Sequence, residues 1–399
     1  MIDTPVARHL GGVGAASAPF LGFLAGSAWG RRRGEPGICD FVVGNPHEMP
    51  LPAYVEALRR ASVPRNPGWF GYALNGDTAR DAAARSLRER LGVAFAAEDL
   101  FLTRGATSAL ALVLAAVLEP GDEVVYPSPP WFFYPPLIAF ARGVPVPARV
   151  DAETFDLDVD AIAAAITPRT RAVIVNSPNN PTGRIYPPAT LERLAAVLRA
   201  ASEEHGRAIY LVSDEAYNRI LFDGRRFSTP TAFYPDSVLV YSSAKARLAP
   251  GQALGYVALP PEMPGRERMR DALFMVQCSG FGFPDAVLQH ALPELEGICI
   301  DLARLQRRRD VLYGALRGLG YELAMPEGAW YLLPRSPLEN DGDFAELLAE
   351  HGVFVLPGSI VELPGYFRIS LTASDEMVER SIAGFAAAMA RAEPVLPAR

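Results

Sequence analysis

Residues 171–183 read Arg-Ala-Val-Ile-Val-Asn-Ser-Pro-Asn-Asn-Pro-Thr-Gly, "RAVIVNSPNNPTG". The first half is a short apolar run rich in β-branched side chains, which reads as a buried strand. The second half is turn chemistry, with Asn180-Pro181 and Gly183 in a polar loop. Such a strand belongs to a parallel α/β sheet when its neighbours alternate with helices. "DLFLT" reads as a strand and residues 107–118 as a helix. "DEVVYP" is a strand, and a helix over 190–205 follows "RAVIVN". The strands "AIYLVSD", "SVLVYSS" and "ALGYVAL" come next. In these sheets ligands bind at the carboxyl ends of the strands. Gly105, Asn176, Asp214 and Lys245 each follow a strand, so four polar positions converge on one cleft.

Lys245 is the single lysine of 399 residues, against 37 arginines. A GC-rich genome produces such a bias without any functional cause. Chemistry offers another reason. Arginine does not lose its proton near neutral pH, whereas a lysine of lowered pKa attacks a carbonyl and forms a Schiff base.

Composition bounds the rest. The length suggests two domains. Half of the residues are hydrophobic and the net charge is −7. No basic patch stands out, so nucleic acid is not an expected partner. The cysteines (Cys39, Cys278 and Cys299) and five scattered histidines show no metal-ligand spacing, and no metal is expected. Residues 11–30 are uncharged, but their six glycines and one proline weaken them as a membrane span. The arginine cluster Arg31-Arg32-Arg33 follows this apolar run, whereas a signal peptide carries its charge before it. The segment reads as an apolar arm that packs against protein, and the protein as cytoplasmic. After a helical pattern near residues 293–316, "GAWYLLP", "GVFVLP" and "YFRISL" read as a smaller α+β domain. The expected division is an arm over 1–48 that packs with the small domain, a large domain over 49–290 and a small domain over 291–399.

Taken together, "NSPNNPTG", "SDEAYNRILFDG", the lysine loop "SSAKARLAPG" and "FRISL" resemble the fold type I pyridoxal-phosphate enzymes of the class I/II aminotransferase family. The resemblance runs from "FVVGNPHEMPLPAYVEAL" to "YFRISLTASDEMVE". It implies pyridoxal 5′-phosphate as cofactor, joined to Lys245 as a Schiff base. Asp214 then holds a proton on the ring nitrogen. Tyr217 and Asn180 hydrogen-bond the ring oxygen, and Trp131 stacks on the ring. Gly105, Ala106 and Thr107 meet the phosphate at a helix N-terminus, with Ser242 as a further donor. Arg368 clamps the substrate carboxylate as a bidentate fork, beside Gly44 and Asn180. Tyr72 reaches the phosphate of a neighbouring subunit, which implies a homodimer with shared active sites.

One position departs from the family pattern. The arginine expected eight residues after the lysine is Ala253. Arg247 and Arg104 are the candidates for the missing charge; the alternatives are a low cofactor affinity, or space at Ala253 that admits part of an unusual substrate. The substrates implied are an amino acid and a 2-oxo acid, exchanged by transamination. The alternatives are another reaction of the same cofactor (elimination or substitution at the β or γ carbon, cyclisation, oxidation) and a non-catalytic relative, which the intact lysine, aspartate and arginine oppose. Phe20, Phe23 and Trp29 in the arm, and the lack of an arginine in "QCSGFGFP" (277–284), lean towards apolar or bulky substrates.

Overall fold

The computed structural model describes residue 7 and residues 9–392. Seven strands form the main sheet: β1 (Leu100–Thr103), β2 (Glu123–Ser128), β3 (Val144–Arg149), β4 (Thr170–Asn176), β5 (Tyr210–Asp214), β6 (Ser237–Ser242) and β7 (Gly255–Ala258). Their order is β1-β7-β6-β5-β4-β2-β3. β7 is antiparallel to both neighbours, and all other pairings are parallel.

Both faces of the sheet are covered, which is why its central strands are apolar on both sides. Helix α1 spans Leu10–Gly26, α2 Gly105–Val117, α3 Pro188–His205, α4 Leu302–Gly318 and α5 Asp375–Ala392. On one face Ile174, Val212 and Val240 pack with Leu110 and Val113 of α2. On the other, Val173, Val175 and Leu211 pack with Leu191, Leu194 and Leu198 of α3. Alternate residues of one strand therefore serve opposite layers.

A smaller body carries β8 (Tyr331–Leu332), β9 (Leu356–Pro357) and β10 (Phe367–Ser370), antiparallel in the order β9-β10-β8. Its core joins Leu312 and Leu316 of α4 to Phe367, Ile369 and Phe385. The expected boundary at 290/291 falls inside the helix Ala286–Leu295. Leu288, Leu292 and Leu295 of that helix bury against the large body, beside Tyr241 and Tyr256. The chain therefore leaves the large body after this helix. The single helical pattern expected near 293–316 is two helices, broken between Leu295 and Leu302.

The arm is also divided. Trp29 and Val42 pack with Phe354 and Leu356 of the small body, and Cys39–Asp40 pairs in parallel with Val353–Phe354. Helix α1 reaches that cluster through Phe23 and Leu24 and also packs on the helix Tyr134–Phe140 of the large body, where Phe20 stacks on Phe132 at 4.7 Å. No helix among the described residues is long and apolar enough to cross a membrane.

Gly183, the end of the opening stretch, joins the two bodies. Its carbonyl accepts from the N–H groups of Glu327 and Gly328, both at 3.0 Å, just before β8. Its φ is +72°, and a Cβ there would lie 2.3 Å from the Cβ of Pro326. Backbone strain and a clash without a flexible neighbour coincide. Gly183→Ala is expected to lower the unfolding free energy by about 2 kcal/mol or more. Urea denaturation followed by circular dichroism measures it, and an unchanged midpoint would contradict this reading.

Candidate active site

The carboxyl ends of β4, β5 and β6 and the start of α2 surround a cleft with about 710 Å³ of empty space open to solvent. Asp214, the last residue of β5, is buried at this cleft. Its Oδ2 accepts from the Tyr134 hydroxyl at 2.7 Å and its Oδ1 from the Ala216 N–H at 3.3 Å. Burial pushes its carboxyl above the usual range. The Tyr134 and Ala216 hydrogen bonds and the charge of Lys245 pull in the other direction. Among the described residues no ion pair reaches it, so the carboxylate is hydrogen-bonded but not neutralised.

Asn176 at the end of β4 fixes this geometry. Its Nδ2 donates to the Asp214 carbonyl at 2.9 Å, and its Oδ1 accepts from the Asn180 N–H at 2.7 Å. The polar loop that follows the strand is thereby tied to the neighbouring strand end. Lys245 sits in the short helix Ser243–Arg247, which begins where β6 stops. Its Nζ lies 5.7 Å from the ring centroids of Tyr217 and Trp330.

Tyr217 and Tyr331 share a hydroxyl–hydroxyl hydrogen bond of 3.0 Å. Burial raises Tyr217 well above an ordinary phenol. Burial acts on Tyr331 in the same sense, but the charges of Arg368 and Lys245 outweigh it and lower its pKa. Arg368 lies 4.3 Å from the Tyr331 ring centroid. Tyr331 is therefore the more acidic of the two.

Arg368, on β10, is buried. Its Nη1 donates to Asn180 Oδ1 and its Nη2 to the Val42 carbonyl, both at 2.8 Å, while Nε has no partner. Arm, small body and cleft loop thus meet on one guanidinium. Gly44 follows closely in the arm, and a Cβ on it would lie 3.2 Å from Trp330 Nε1, another buried donor without a partner.

Gly105, Ala106, Thr107, Trp131, Asn180, Asp214, Tyr217, Ser242 and Lys245 all line the cleft, as do Arg104 and Ala253. Four expected residues are not part of that lining: Arg368 and Gly44, which adjoin it through Asn180 and Trp330, and Arg247 and Tyr72. Arg247 is buried away from the cleft: Nη1 donates to the Ser243 carbonyl at 2.8 Å, and Nε donates to that of Leu295 at 2.9 Å, which also accepts from Nη2. Residues two apart on a helix face opposite ways, so Arg247 diverges from Lys245. Tyr72 is fully exposed, next to Phe70 and Leu74. Tyr134, Tyr331 and Ala216 were missed at the level of sequence. The one available signal was the position of Tyr134 one helical turn after Trp131.

The residues fit pyridoxal phosphate on grounds of chemistry. A buried carboxylate without a cation matches a protonated ring nitrogen. Ser242 is nearly buried, and its hydroxyl makes no hydrogen bond among the described residues, as suits a phosphate donor at the mouth of α2. Residues 36–385 match the family model for aminotransferase class I and II. The chain belongs to the class I and II aminotransferase family.

It is 34% identical over 373 residues to the aspartate/prephenate aminotransferase of Thermus thermophilus, covering 91% of this chain and 93% of that protein. It is 31% identical to the aspartate aminotransferase of Rhizobium meliloti, over 96% of each. Among solved structures, an amino transferase from Eubacterium rectale superposes with a TM-score of 0.88 at 26% identity, covering 98% of this chain and 100% of that one. The Thermus thermophilus aspartate aminotransferase with maleate gives 0.81 at 32% identity, over 96% and 100%. This aminotransferase uses pyridoxal phosphate to carry an amino group between an amino acid and a 2-oxo acid.

The neighbour of Asp214 has a different part in this aminotransferase. Glu215 is held outside the cleft by Ser213 Oγ and Asn218 Nδ2, both at 3.0 Å, and by Thr229. Burial pushes its carboxyl up to about 7, against the hydrogen bonds from Thr229, Asn218 and Ser213. Its folded-state pKa exceeds the unfolded one, so between pH 4.5 and about 7 the folded state holds the extra proton. Stability is expected to fall as pH rises through that window, by on the order of 3 kcal/mol. Glu215→Gln should flatten this slope. Denaturant unfolding across the pH range tests it, and an unchanged slope in the variant would rule the assignment out.

Proposed function

We propose that the enzyme transaminates amino acids with large apolar or aromatic side chains, as a cytoplasmic homodimer. Pyridoxal phosphate, when bound, supplies the aldehyde that exchanges the amino group and a ring that withdraws electrons while its nitrogen is protonated. Asp214 keeps the proton on that nitrogen, oriented by Tyr134. Asn180 and Tyr217 donate to the ring oxygen, and Trp131 covers the ring face. Lys245 Nζ would take the proton from the substrate α-carbon and deliver it to the carbon on the other side of the amino nitrogen. Arg368 orients the substrate through its carboxylate.

The observation that carries the substrate reading is the aromatic wall around Arg368. Tyr331 and Phe132 lie 4.3 and 5.9 Å from its guanidinium, and Phe20 of the arm stacks on Phe132 from outside. Apart from Lys245, Arg104 is the one cationic side chain among the described residues that line the cleft, and it stands at the α2 end. Among the described residues that line the cleft, a second carboxylate would find no guanidinium but that of Arg104. The second reading is an acidic donor, supported by the names of the relatives, aspartate/prephenate and aspartate aminotransferases.

Three free thiols are consistent with the cytoplasmic reading. Exposed Phe70, Tyr72 and Leu74 support the dimer. They adjoin the helix-end segment with exposed Phe274 and Met275, through the hydrogen bond from Asn75 Nδ2 to Gln277 Oε1 at 2.8 Å. In this dimer Tyr72 enters the partner's phosphate site.

Kcat/KM for phenylalanine, leucine and aspartate with one common 2-oxo acid tests the substrate reading. Burial of a large apolar side chain contributes about 1.5–3 kcal/mol. Phenylalanine or leucine is therefore expected to exceed aspartate by at least about tenfold. A preference for aspartate would overturn it in favour of the acidic donor.

A further inference from the structure

We propose that Arg104 supplies the positive charge for the cofactor phosphate, at the end of the cleft beside Ala253. The argument starts from charge. A phosphate monoester carries about 1.5–2 negative charges at neutral pH. The N–H groups of Gly105, Ala106 and Thr107 at the start of α2 offer about half a positive charge, and the Ser242 hydroxyl none. At least one cation is required nearby.

The described residues leave few choices. The cationic side chains that line the cleft are Lys245 and Arg104. Lys245 is engaged by the amino-transfer chemistry. Arg247 is excluded, because its guanidinium is taken by the Ser243 and Leu295 carbonyls, with Glu296 3.5 Å away. Arg104 immediately precedes α2, so its backbone already adjoins the phosphate donors.

The side chain of Arg104 is placed for the task and is not otherwise committed. Its Nε donates to the Phe283 carbonyl at 3.3 Å, and its terminal nitrogens make no hydrogen bond or ion pair among the described residues. Asp285 lines the hollow beside it but makes no ion pair with it; its Oδ1 accepts from the Leu288 N–H at 2.9 Å as a helix cap. Arg104 and Ala253 also line a second hollow, shared with Gly251, Gln252 and Pro284, with about 510 Å³ of empty space open to solvent. The cleft and this hollow meet at the Ala253 methyl group. Within the single chain Arg104 is exposed.

An exposed cation is screened by salt, and a buried one much less. Two behaviours follow: Arg104 favours the phosphorylated cofactor over pyridoxal, and that preference weakens as salt rises. The test is equilibrium binding of pyridoxal phosphate and of pyridoxal to the cofactor-free enzyme, followed by absorbance. Arg104→Ala is expected to weaken pyridoxal phosphate by tenfold to a hundredfold, the size of one charge-assisted contact. Its affinity for pyridoxal should stay within about twofold, because that ligand has no phosphate charge for the contact to recognise. Arg104→Lys should recover most of the loss, and so should Ala253→Arg placed in the Arg104→Ala background. Raising salt from about 0.05 to about 0.5 M should weaken pyridoxal phosphate more in the natural enzyme than in Arg104→Ala. Unchanged affinity for pyridoxal phosphate in Arg104→Ala would overturn the proposal. So would equal losses for both ligands, which indicate a structural defect. A natural enzyme that binds neither ligand would overturn it together with the cofactor assignment on which it rests.

Discussion

A carboxylate buried without an opposite charge is the constraint on which this structure turns. Asp214 ends a central strand, away from water, with two hydrogen bonds and no ion pair among the described residues. Such a group is costly to ionise unless something pairs with it. Lys245 acts on it at a distance and does not contact it. The pairing charge has to arrive with a ligand, and a protonated pyridine nitrogen supplies it in a form that also draws electrons from the substrate. The cleft is built to hold Asp214 in that unpaired state: Tyr134 and Ala216 fix the two oxygens, and Asn176 fixes the backbone behind them.

The two bodies are assembled around this point. Gly183 presents its carbonyl to the segment that leads into β8, and β8 carries Tyr331, which holds Tyr217. Arg368, from β10, reaches Asn180 on one side and the arm at Val42 on the other. The opening stretch of sequence therefore supplies a strand of the sheet, a cleft-lining amide and the contact to the smaller body. On the proposed reading a substrate held at Arg368 engages all three parts, because the guanidinium is the place where they meet.

Most of this was legible from the chain. Six of the seven main strands follow from short apolar runs, and the cleft from the polar residues at their ends. β3 was not, because "VPVPAR" places prolines where a ladder needs N–H groups. It lies at the sheet edge, where proline is tolerated. The antiparallel course of β7 was also hidden, since an apolar pattern carries no direction. Lys245 stood out as the single lysine, Asp214 by its place at a strand end in a motif of the family, and Arg368 as an arginine within an apolar strand. Tyr134 and Tyr331 did not, being aromatic residues among other aromatics, whose hydroxyl partners exist only in the fold. Arg247 misled for the opposite reason. It is close to Lys245 in number, but two residues along a helix turn a side chain to the far side.

The central claim is that Asp214 works through its charge, and the half-reaction of Asp214→Asn tests it most directly. The variant is mixed with an amino acid and no 2-oxo acid, and single-turnover conversion of the cofactor absorbance is followed. Borohydride reduction and peptide mapping establish that Lys245 still carries the cofactor. The account predicts an adduct on Lys245 as in the natural enzyme, with a half-reaction slowed by about a hundredfold or more, the scale of losing one preorganised electrostatic contact. A variant that keeps the adduct and reacts within a few-fold of the natural rate would contradict it.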